Sequence, residues 1–404
     1  MQRKPYIYTV ASRQLGRDPN PKIRPDEELS TTARPPPPPT ISRMPTKIST
    51  TALLAAAMGS SSAALAQSFT LSNPDLASFE VKDQSFMSIL GGNATLTLIQ
   101  NATEPLFHEG GVYNATDDTL FLSSNRIPLA AGQVDESTGN QTIKLSAVHG
   151  VSSLDTSLIT ISALDTSTIN LPNGGAAHAG ASGLLWTAQG SKTATSGIYS
   201  IPDPVNAPNV SVPIVTDFFG RQFNSPNDVV ANPADGGSIW FTDPNYGSSQ
   251  GIRNAPQLAT QVYRYDPVSN TTRVVADELQ EPNGLAFNED FTILYVTDAS
   301  ADATKNPGGA ASIYAYDVVT EPGPFLANKR LFAFAPVGIP DGIKVDSKGN
   351  VWSGTGSGVV VWNSAGTMLG QIKVSGGAAN FGFGATESTV FILGEKLLWR
   401  AQLA

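Results

Sequence analysis

Cysteine is absent from the 404 residues of this chain, and only three histidines occur. The chain therefore has no disulfide framework and few ligands for a zinc site of the usual kind. Charged residues make up only 15%. No long apolar pattern with a 3.6-residue period occurs, which argues against a mainly helical fold.

The first 66 residues differ in character from the rest. Residues 1–43 are basic and contain the run Pro35 to Pro39, a composition that cannot bury enough apolar area to fold. We interpret them as a disordered segment or a gene-model extension. The sequence from Met44 has a positively charged residue, Lys47, near its start. A short apolar stretch follows, and then Ala64-Leu65-Ala66. They predict a signal peptide over 44–66, with translation starting at Met44; an Ala-rich linker behind a transit peptide is the alternative.

Secretion and an acidic surface are the next expectations. Residues 1–66 contain nine Lys and Arg but four Asp and Glu, so the net charge of −9 becomes −14 for residues 67–404. Such a charge argues against nucleic acid and anionic membranes as partners, because both would be repelled. Six N-x-S/T sequons support secretion and glycosylation: Asn93, Asn101, Asn114, Asn140, Asn209 and Asn270. The oligomeric state stays open.

One phrase, a polar turn followed by a short apolar strand, recurs six times. The first apolar strand residues of the six copies are Leu120, Leu184, Ile239, Leu294, Val351 and Val390. The 37 glycines and 29 prolines suit the many tight turns that such repeats need. Six repeats built of short β segments predict an all-β fold, a six-bladed β-propeller over 67–404.

One amide or carboxylate precedes each of these strands by about ten residues. The six are Glu109, Asn173, Asn227, Asn283, Asp341 and Asn380. Equivalent positions in successive blades face the same end of the central channel, so these side chains are expected to converge in a ring. The alternative is that they only cap turns, as Asn and Asp often do.

Oxygen donors of this kind suit a hard cation. Ca²⁺ fits best, with Mg²⁺, Mn²⁺ or Zn²⁺ as alternatives. Glu109 and Asp341 would neutralise a divalent charge, and neutral Asn oxygens would complete the shell. The sequence therefore predicts one divalent cation in a central-channel site.

Two further features are interpreted as structural. The glycine-rich GTGSG at 354–358 leads into an apolar run and not a helix, so we expect a hairpin turn and no phosphate loop. His108 adjoins Glu109, but strand alternation would send the two side chains in opposite directions.

The phrases around the predicted ring resemble the SMP-30/gluconolactonase/LRE-like family. The resemblance covers roughly 105–395 and rests on four motifs: NSPNDVV (224–230), SIWFTDPNYG (238–247), EPNGLAFNEDFTILYVTD (281–298) and IPDGIKVDSKGNVW (339–352). It implies a six-bladed propeller that binds one divalent cation, commonly Ca²⁺, and hydrolyses sugar lactones or related esters. At the end of the second-blade strand, where bacterial sugar-lactonase relatives often have C-E-H-G, this chain has Thr187-Ala188-Gln189-Gly190.

The resemblance also implies roles for single residues. Glu109, Asn227, Asn283 and Asp341 match the family's metal site, and Asp341 also matches its proposed base. Asn227 lies near substrate in the family, and we expect Asn173 and Asn380 to complete the substrate-binding ring. A carboxylate bound to metal is a poor base, so the two roles of Asp341 oppose each other.

The expected activity is the opening of a small lactone, with the metal polarising the carbonyl and a carboxylate activating water. Two alternatives stay open, because a fold does not fix a function. A related propeller could act on esters or phosphotriesters. The propeller could also be a non-catalytic binding module with a structural cation.

Overall fold

The computed structural model describes residues 70–71, 77–165, 167–178, 183–301, 306–321 and 323–404. The predicted extension at 1–43 and signal peptide at 44–66 lie outside the described residues. Within the described ranges no helix is long and apolar enough to cross a membrane.

The described strands form six large sheets, the blades of a propeller, which confirms the predicted fold; their strand pairs are antiparallel except for Thr70–Leu71 with Thr95–Asn101. Blades one to three have four strands each. Blade one contains Glu109–Asn114, Thr119–Ser123, Leu145–His149 and Thr160–Ala163. Blade two contains Pro172–Ala177, Leu184–Ala188, Gly197–Ile201 and Val212–Val215. Blade three contains Val229–Asn232, Ser238–Asp243, Gln261–Asp266 and Thr271–Ala276.

Blade four also has four strands, whereas blades five and six are completed by strands from the start of the described chain. Blade four contains Pro282–Phe287, Ile293–Asp298, Ser312–Val319 and Phe325–Phe334. Blade five contains Ile343–Val345, Val351–Thr355, Gly358–Trp362 and Met368–Val374, and Ala77–Val81 pairs antiparallel with its last strand. Blade six contains Asn380–Phe383, Thr389–Gly394 and Leu397–Gln402, followed outward by Thr95–Asn101 and Thr70–Leu71.

Short elements lie between the blade strands. Two small ribbons pair Ile127–Pro128 with Gln141–Thr142 and Asp217–Phe218 with Arg221–Gln222. The two α-helices described are Met87–Leu90 and Tyr246–Ser249, and short 3₁₀ turns span Gln84–Phe86, Glu136–Thr138, Thr156–Leu158 and Pro233–Asp235. The predicted hairpin at GTGSG is confirmed, since Thr355 pairs with Gly358 across it.

The core lies between the blades. Each blade buries both faces against its neighbours, so the second strands of blades one, two, three and five are buried along their whole length. Between blades two and three, for example, Leu185 and Ile198 pack with Phe223, Phe241 and Tyr263. Strands with two buried faces read as continuous apolar runs, which explains the short apolar phrases of the repeat. All six aligned residues of the repeat lie in second strands.

Candidate active site

Each residue of the predicted ring stands at the start of the first strand of its blade. Glu109 and Asn380 begin their strands, Asn173 and Asn283 are the second residues of theirs, and Asn227 and Asp341 precede theirs by two residues. First strands of neighbouring blades contact one another around the channel. The six residues therefore share one end of the channel, and they are called the polar ring below.

Five members of the polar ring line one cavity of about 560 Å³, the site cavity: Glu109, Asn173, Asn227, Asn283 and Asp341. The sixth, Asn380, lies behind Glu109, and its Nδ2 donates a 2.7 Å hydrogen bond to Glu109 Oε2. Asn380 is only 1% exposed. The structure thus places Asn380 as a support for Glu109, away from the position expected of a substrate ligand.

The ring presents oxygen atoms that have no partner. Asn173, Asn227, Asn283 and Asp341 each carry a buried Oδ1 without a hydrogen-bond partner among the described residues. A buried acceptor left unpaired costs about 1–3 kcal/mol. Four such oxygens around one cavity are the arrangement that a bound cation or a polar ligand would satisfy.

Burial raises the pKa of both ring carboxylates. The pKa of Asp341 rises to about 7, because burial and the charge of Glu395 outweigh an interaction with Glu109 that lowers it. Burial, and then the charge of Asp341, raise the pKa of Glu109 well above its usual range. A cation between them would favour both charged forms, because an opposite charge nearby offsets burial and repulsion.

Buried hydroxyls fix the backbone of the ring. In four blades the second strand carries a Ser or Thr whose hydroxyl donates to the backbone carbonyl of the ring residue in the next blade. The pairs are Ser123 with Asn173 at 2.6 Å, Thr187 with Asn227 at 2.9 Å, Thr242 with Asn283 at 2.6 Å and Thr297 with Asp341 at 2.9 Å. Each hydroxyl residue stands three places after the aligned apolar residue of its repeat, so the sequence carried this signal.

Small residues let neighbouring blades approach at the ring. A Cβ on Gly284 would lie 2.5 Å from the carbonyl oxygen of Asp341, and a Cβ on Gly342 would lie 2.2 Å from Asn380 Cγ. Real Cβ atoms do not come this close to other heavy atoms. The glycines of the PNG and PDG phrases therefore keep the ring tight.

Strand alternation does not apply to His108. His108 and Glu109 both line the site cavity, because the strand begins at Glu109 and alternation does not extend to the residue before it. His108 Nδ1 lies 2.8 Å from Glu395 Oε1, and Asn125 Nδ2 donates to the same carboxylate at 3.2 Å. Burial lowers the pKa of His108, but the hydrogen bond and charge of Glu395 raise it overall. This pair fixes the wall beside Glu109.

The rest of the cavity wall was not predicted from the sequence. It is mostly polar and includes Arg126, Gln189, Tyr246, Gln250, Glu281 and Asn306. Gln189 stands at the histidine position of the C-E-H-G pattern, and it is 3% exposed. These residues come from loops of different lengths, which carry no repeat signal.

The donor set is oxygen-rich and poor in charge. Among the described residues no group of three or more His, Cys, Asp and Glu side chains is placed to hold a metal ion. The polar ring combines two carboxylates with four amides instead. Amide and carboxylate oxygens together are the donors that Ca²⁺ accepts, so the residues present fit a hard cation. The chemistry such a ring supports is polarisation of a carbonyl or phosphoryl oxygen.

Known proteins are similar to this chain in structure or in sequence. A gluconolactonase from Xanthomonas campestris superposes with a TM-score of 0.63 and 28% identity, covering 81% of this chain and 94% of that protein. The lactonohydrolase oryH of Aspergillus oryzae is 35% identical over 175 residues, 39% of this chain and 36% of that protein. A gluconolactonase of Zymomonas mobilis is 29% identical over 235 residues, 55% of this chain and 60% of that protein.

These two curated relatives are thus matched over 36% and 60% of their own lengths. The family model described as SMP-30/Gluconolactonase/LRE-like region matches residues 139–394, more than half of the chain. The match includes the four sequence motifs and five of the six blades' first strands. This chain belongs to the SMP-30/gluconolactonase/LRE-like family.

Proposed function

We propose that this protein is a metal-dependent hydrolase that opens a small sugar lactone of the aldonolactone type. The observation that carries the proposal is the set of four unpaired buried oxygens converging on one cavity. Relatives named gluconolactonase and lactonohydrolase support the substrate class. Fold alone would not, because propellers of one family can differ in chemistry.

The cation site we propose consists of Glu109, Asn227, Asn283 and Asp341. The unpaired Oδ1 atoms of three of these residues supply neutral and anionic oxygens, and Glu109 supplies the second carboxylate. Ca²⁺ is favoured because it takes amide and carboxylate oxygens in flexible geometry, whereas Mg²⁺ demands a near-octahedral shell. Mn²⁺ and Zn²⁺ are the remaining alternatives.

Lactone opening requires attack by water and stabilisation of the charge that develops on the carbonyl oxygen. A cation in the ring would supply a Lewis acid for that oxygen. Asp341 is the proposed general base, because it lines the site cavity and its carboxylate carries a buried oxygen without a hydrogen-bond partner among the described residues. Glu109 holds the site through its hydrogen bond from Asn380, and the amides of Asn173 and Asn227 orient the substrate.

The wall of the site cavity favours a polyhydroxylated substrate over an apolar one. Gln189, Gln250 and Asn306 offer amide groups, and Arg126 and Glu281 offer charged ones. Every hydroxyl of a sugar lactone needs a partner when it leaves water, because an unpaired buried polar group is costly. A lactone with a long alkyl chain would leave these groups unpaired instead.

A proton-release assay on a panel of lactones, aryl esters and phosphotriesters tests the proposal, with and without chelator. We expect turnover of aldonolactones that chelator abolishes and added Ca²⁺ restores. Turnover of the esters or phosphotriesters alone would favour the related hydrolase. Well-folded, metal-loaded protein that hydrolyses nothing would favour the binding module, and full activity in excess chelator would refute the metal mechanism.

We also propose that the protein is secreted after removal of residues 44–66. Five of the six sequon asparagines are exposed, namely Asn93, Asn101, Asn140, Asn209 and Asn270, and Asn114 is half-buried. Sequons that glycosylation enzymes use lie on the surface of exported proteins. A shift in mobility of secreted material after glycosidase treatment is expected, and its absence would contradict the glycosylation.

A further inference from the structure

Tyr246 lies on a short segment that covers part of the site cavity. The segment follows strand Ser238–Asp243 and contains the helix Tyr246–Ser249. Tyr246, Ser249 and Gln250 all line the cavity beside the polar ring. The tyrosine ring thus belongs to the wall next to Asn283.

Two hydrogen bonds hold the start of this segment in place. The backbone N–H of Asn245 donates to Glu281 Oε2 at 3.0 Å, and that of Gly247 donates to Ser225 Oγ at 2.8 Å. Tyr246 lies between these two anchors. A side chain on such a segment keeps its position when a ligand enters, which is what preorganised catalysis needs.

Arg253 fixes the end of the segment. Its guanidinium donates to the backbone carbonyls of Asn224, Phe223, Ser191 and Ala194 at 2.8–3.1 Å. A Cβ on Gly247 would lie 2.3 Å from Arg253 Cγ, so the arginine stem packs directly on the helix. The loops of blades two and three thereby hold the segment over the cavity.

The hydroxyl of Tyr246 has one partner that leaves its proton free. Asn283 Nδ2 donates to Tyr246 Oη over 3.4 Å, so the phenol oxygen acts as the acceptor. No acceptor for the phenol proton lies within hydrogen-bond distance in the part of the chain that the structure describes. The same contact leaves Asn283 Oδ1 as one of the unpaired oxygens of the ring.

A proton donor beside an oxygen-only cation site complements it. Asn173, Asn227, Asn283 and Asp341 present acceptor atoms without partners, which attract a cation but cannot stabilise an oxyanion. A tyrosine hydroxyl is protonated at neutral pH, because the ordinary pKa of a phenol is about 10. The hydroxyl then remains a donor throughout the reaction.

We propose that the Tyr246 hydroxyl donates a hydrogen bond to the carbonyl oxygen of the substrate and stabilises the negative charge that develops there. This inference rests on the proposed lactonase function. The proton stays on the phenol throughout, so the step makes and breaks no covalent bond at Tyr246.

Tyr246→Phe removes only the hydroxyl oxygen and tests the proposal. We expect kcat for an aldonolactone to fall about 10²-fold, as for loss of one oxyanion donor, while KM and Ca²⁺ affinity by calorimetry stay nearly unchanged. The matched control is Tyr265→Phe, whose hydroxyl contacts exposed Asn270 at 3.1 Å and which should keep full activity. An unchanged kcat in Tyr246→Phe would overturn the proposal.

Two readouts separate this role from others. If Tyr246→Phe loses Ca²⁺ affinity in proportion to its activity, the hydroxyl only orients the Asn283 amide, and the proposal is wrong. Gluconate binding to the Ca²⁺-loaded protein needs no turnover, and the variant should bind it about tenfold more weakly, the equivalent of 1.4 kcal/mol. Wild-type protein that neither opens lactones nor binds gluconate would refute the proposed function and this inference with it, whereas a fully active variant refutes the inference alone.

Discussion

Replacing Thr297 with valine should show how strongly the buried hydroxyls hold the polar ring. Thr297 is fully buried, and its Oγ1 donates to the carbonyl of Asp341 at 2.9 Å. The same oxygen accepts from the backbone N–H of Gly284 at 2.7 Å. Valine has the same shape but no hydroxyl, so the substitution leaves one buried carbonyl and one buried N–H without these partners.

The expected loss follows from these two groups. Each unsatisfied buried group costs about 1–3 kcal/mol, and the extra buried methyl returns about 0.8 kcal/mol. A net destabilisation of roughly 3 kcal/mol is therefore expected. Because Asp341 loses its anchor to blade four, Ca²⁺ affinity should also fall, by about 10–100-fold as for other groups that orient metal ligands.

Urea unfolding and calorimetry with Ca²⁺ on the wild type and three variants provide the test. Thr297→Ser keeps the hydroxyl and should retain most of the Ca²⁺ affinity, although it loses a methyl. Thr271→Val changes an exposed hydroxyl and should alter stability by less than about 0.5 kcal/mol. If Thr297→Val is as stable as the wild type and binds Ca²⁺ equally well, the hydroxyl does not hold the ring.

Three further outcomes are expected. Asp341→Asn should fold, bind Ca²⁺ more weakly by calorimetry and lose about 10²–10⁴ in kcat; unchanged affinity and rate would remove Asp341 from the site. Burial raises the pKa of Asp243 to about 7, so the folded state binds the proton of this carboxyl more tightly than the unfolded chain does. The contribution of Asp243 to the free energy of unfolding therefore falls as pH rises from about 4 to 7. In urea titrations the stability of the wild type relative to Asp243→Asn should decline over that range, and a rising difference would contradict this. N-terminal sequencing of secreted protein should start near Gln67, and a start before Met44 would contradict the signal-peptide prediction.

The blades were predictable because the chain repeats its local chemistry. Turn residues followed by an apolar strand mark each second strand, and the spacing then located the ring residues at the starts of the first strands. Glu109 and Asp341 face one cavity as expected. Their roles as metal ligands stay predictions.

Features of the structure that do not recur from blade to blade could not be predicted from the sequence. The strands Ala77–Val81 and Thr95–Asn101 pair with strands at the far end of the described chain, and nothing local marks that partnership. Tyr246 and Gln189 lie on connections after the second strands of blades three and two, and these connections differ between blades. The hydroxyls of Thr242 and Thr297 were visible in the aligned phrases, but their meaning needs the geometry between blades. The spacing of the ring residues in the sequence also did not predict that Asn380 lies behind Glu109.

The pairing of early strands with late blades has a consequence for synthesis. Thr95–Asn101 leaves the ribosome long before its partner strand Leu397–Gln402 is synthesised. The same delay separates Ala77–Val81 from its partner strand Met368–Val374. Contacts this distant along the chain slow folding, and unpaired strand edges promote aggregation while they wait. A chain that lacks residues 77–101 would leave the outer edges of blades five and six open. Fusion partners and truncations for expression are therefore better placed before residue 70 than within this segment.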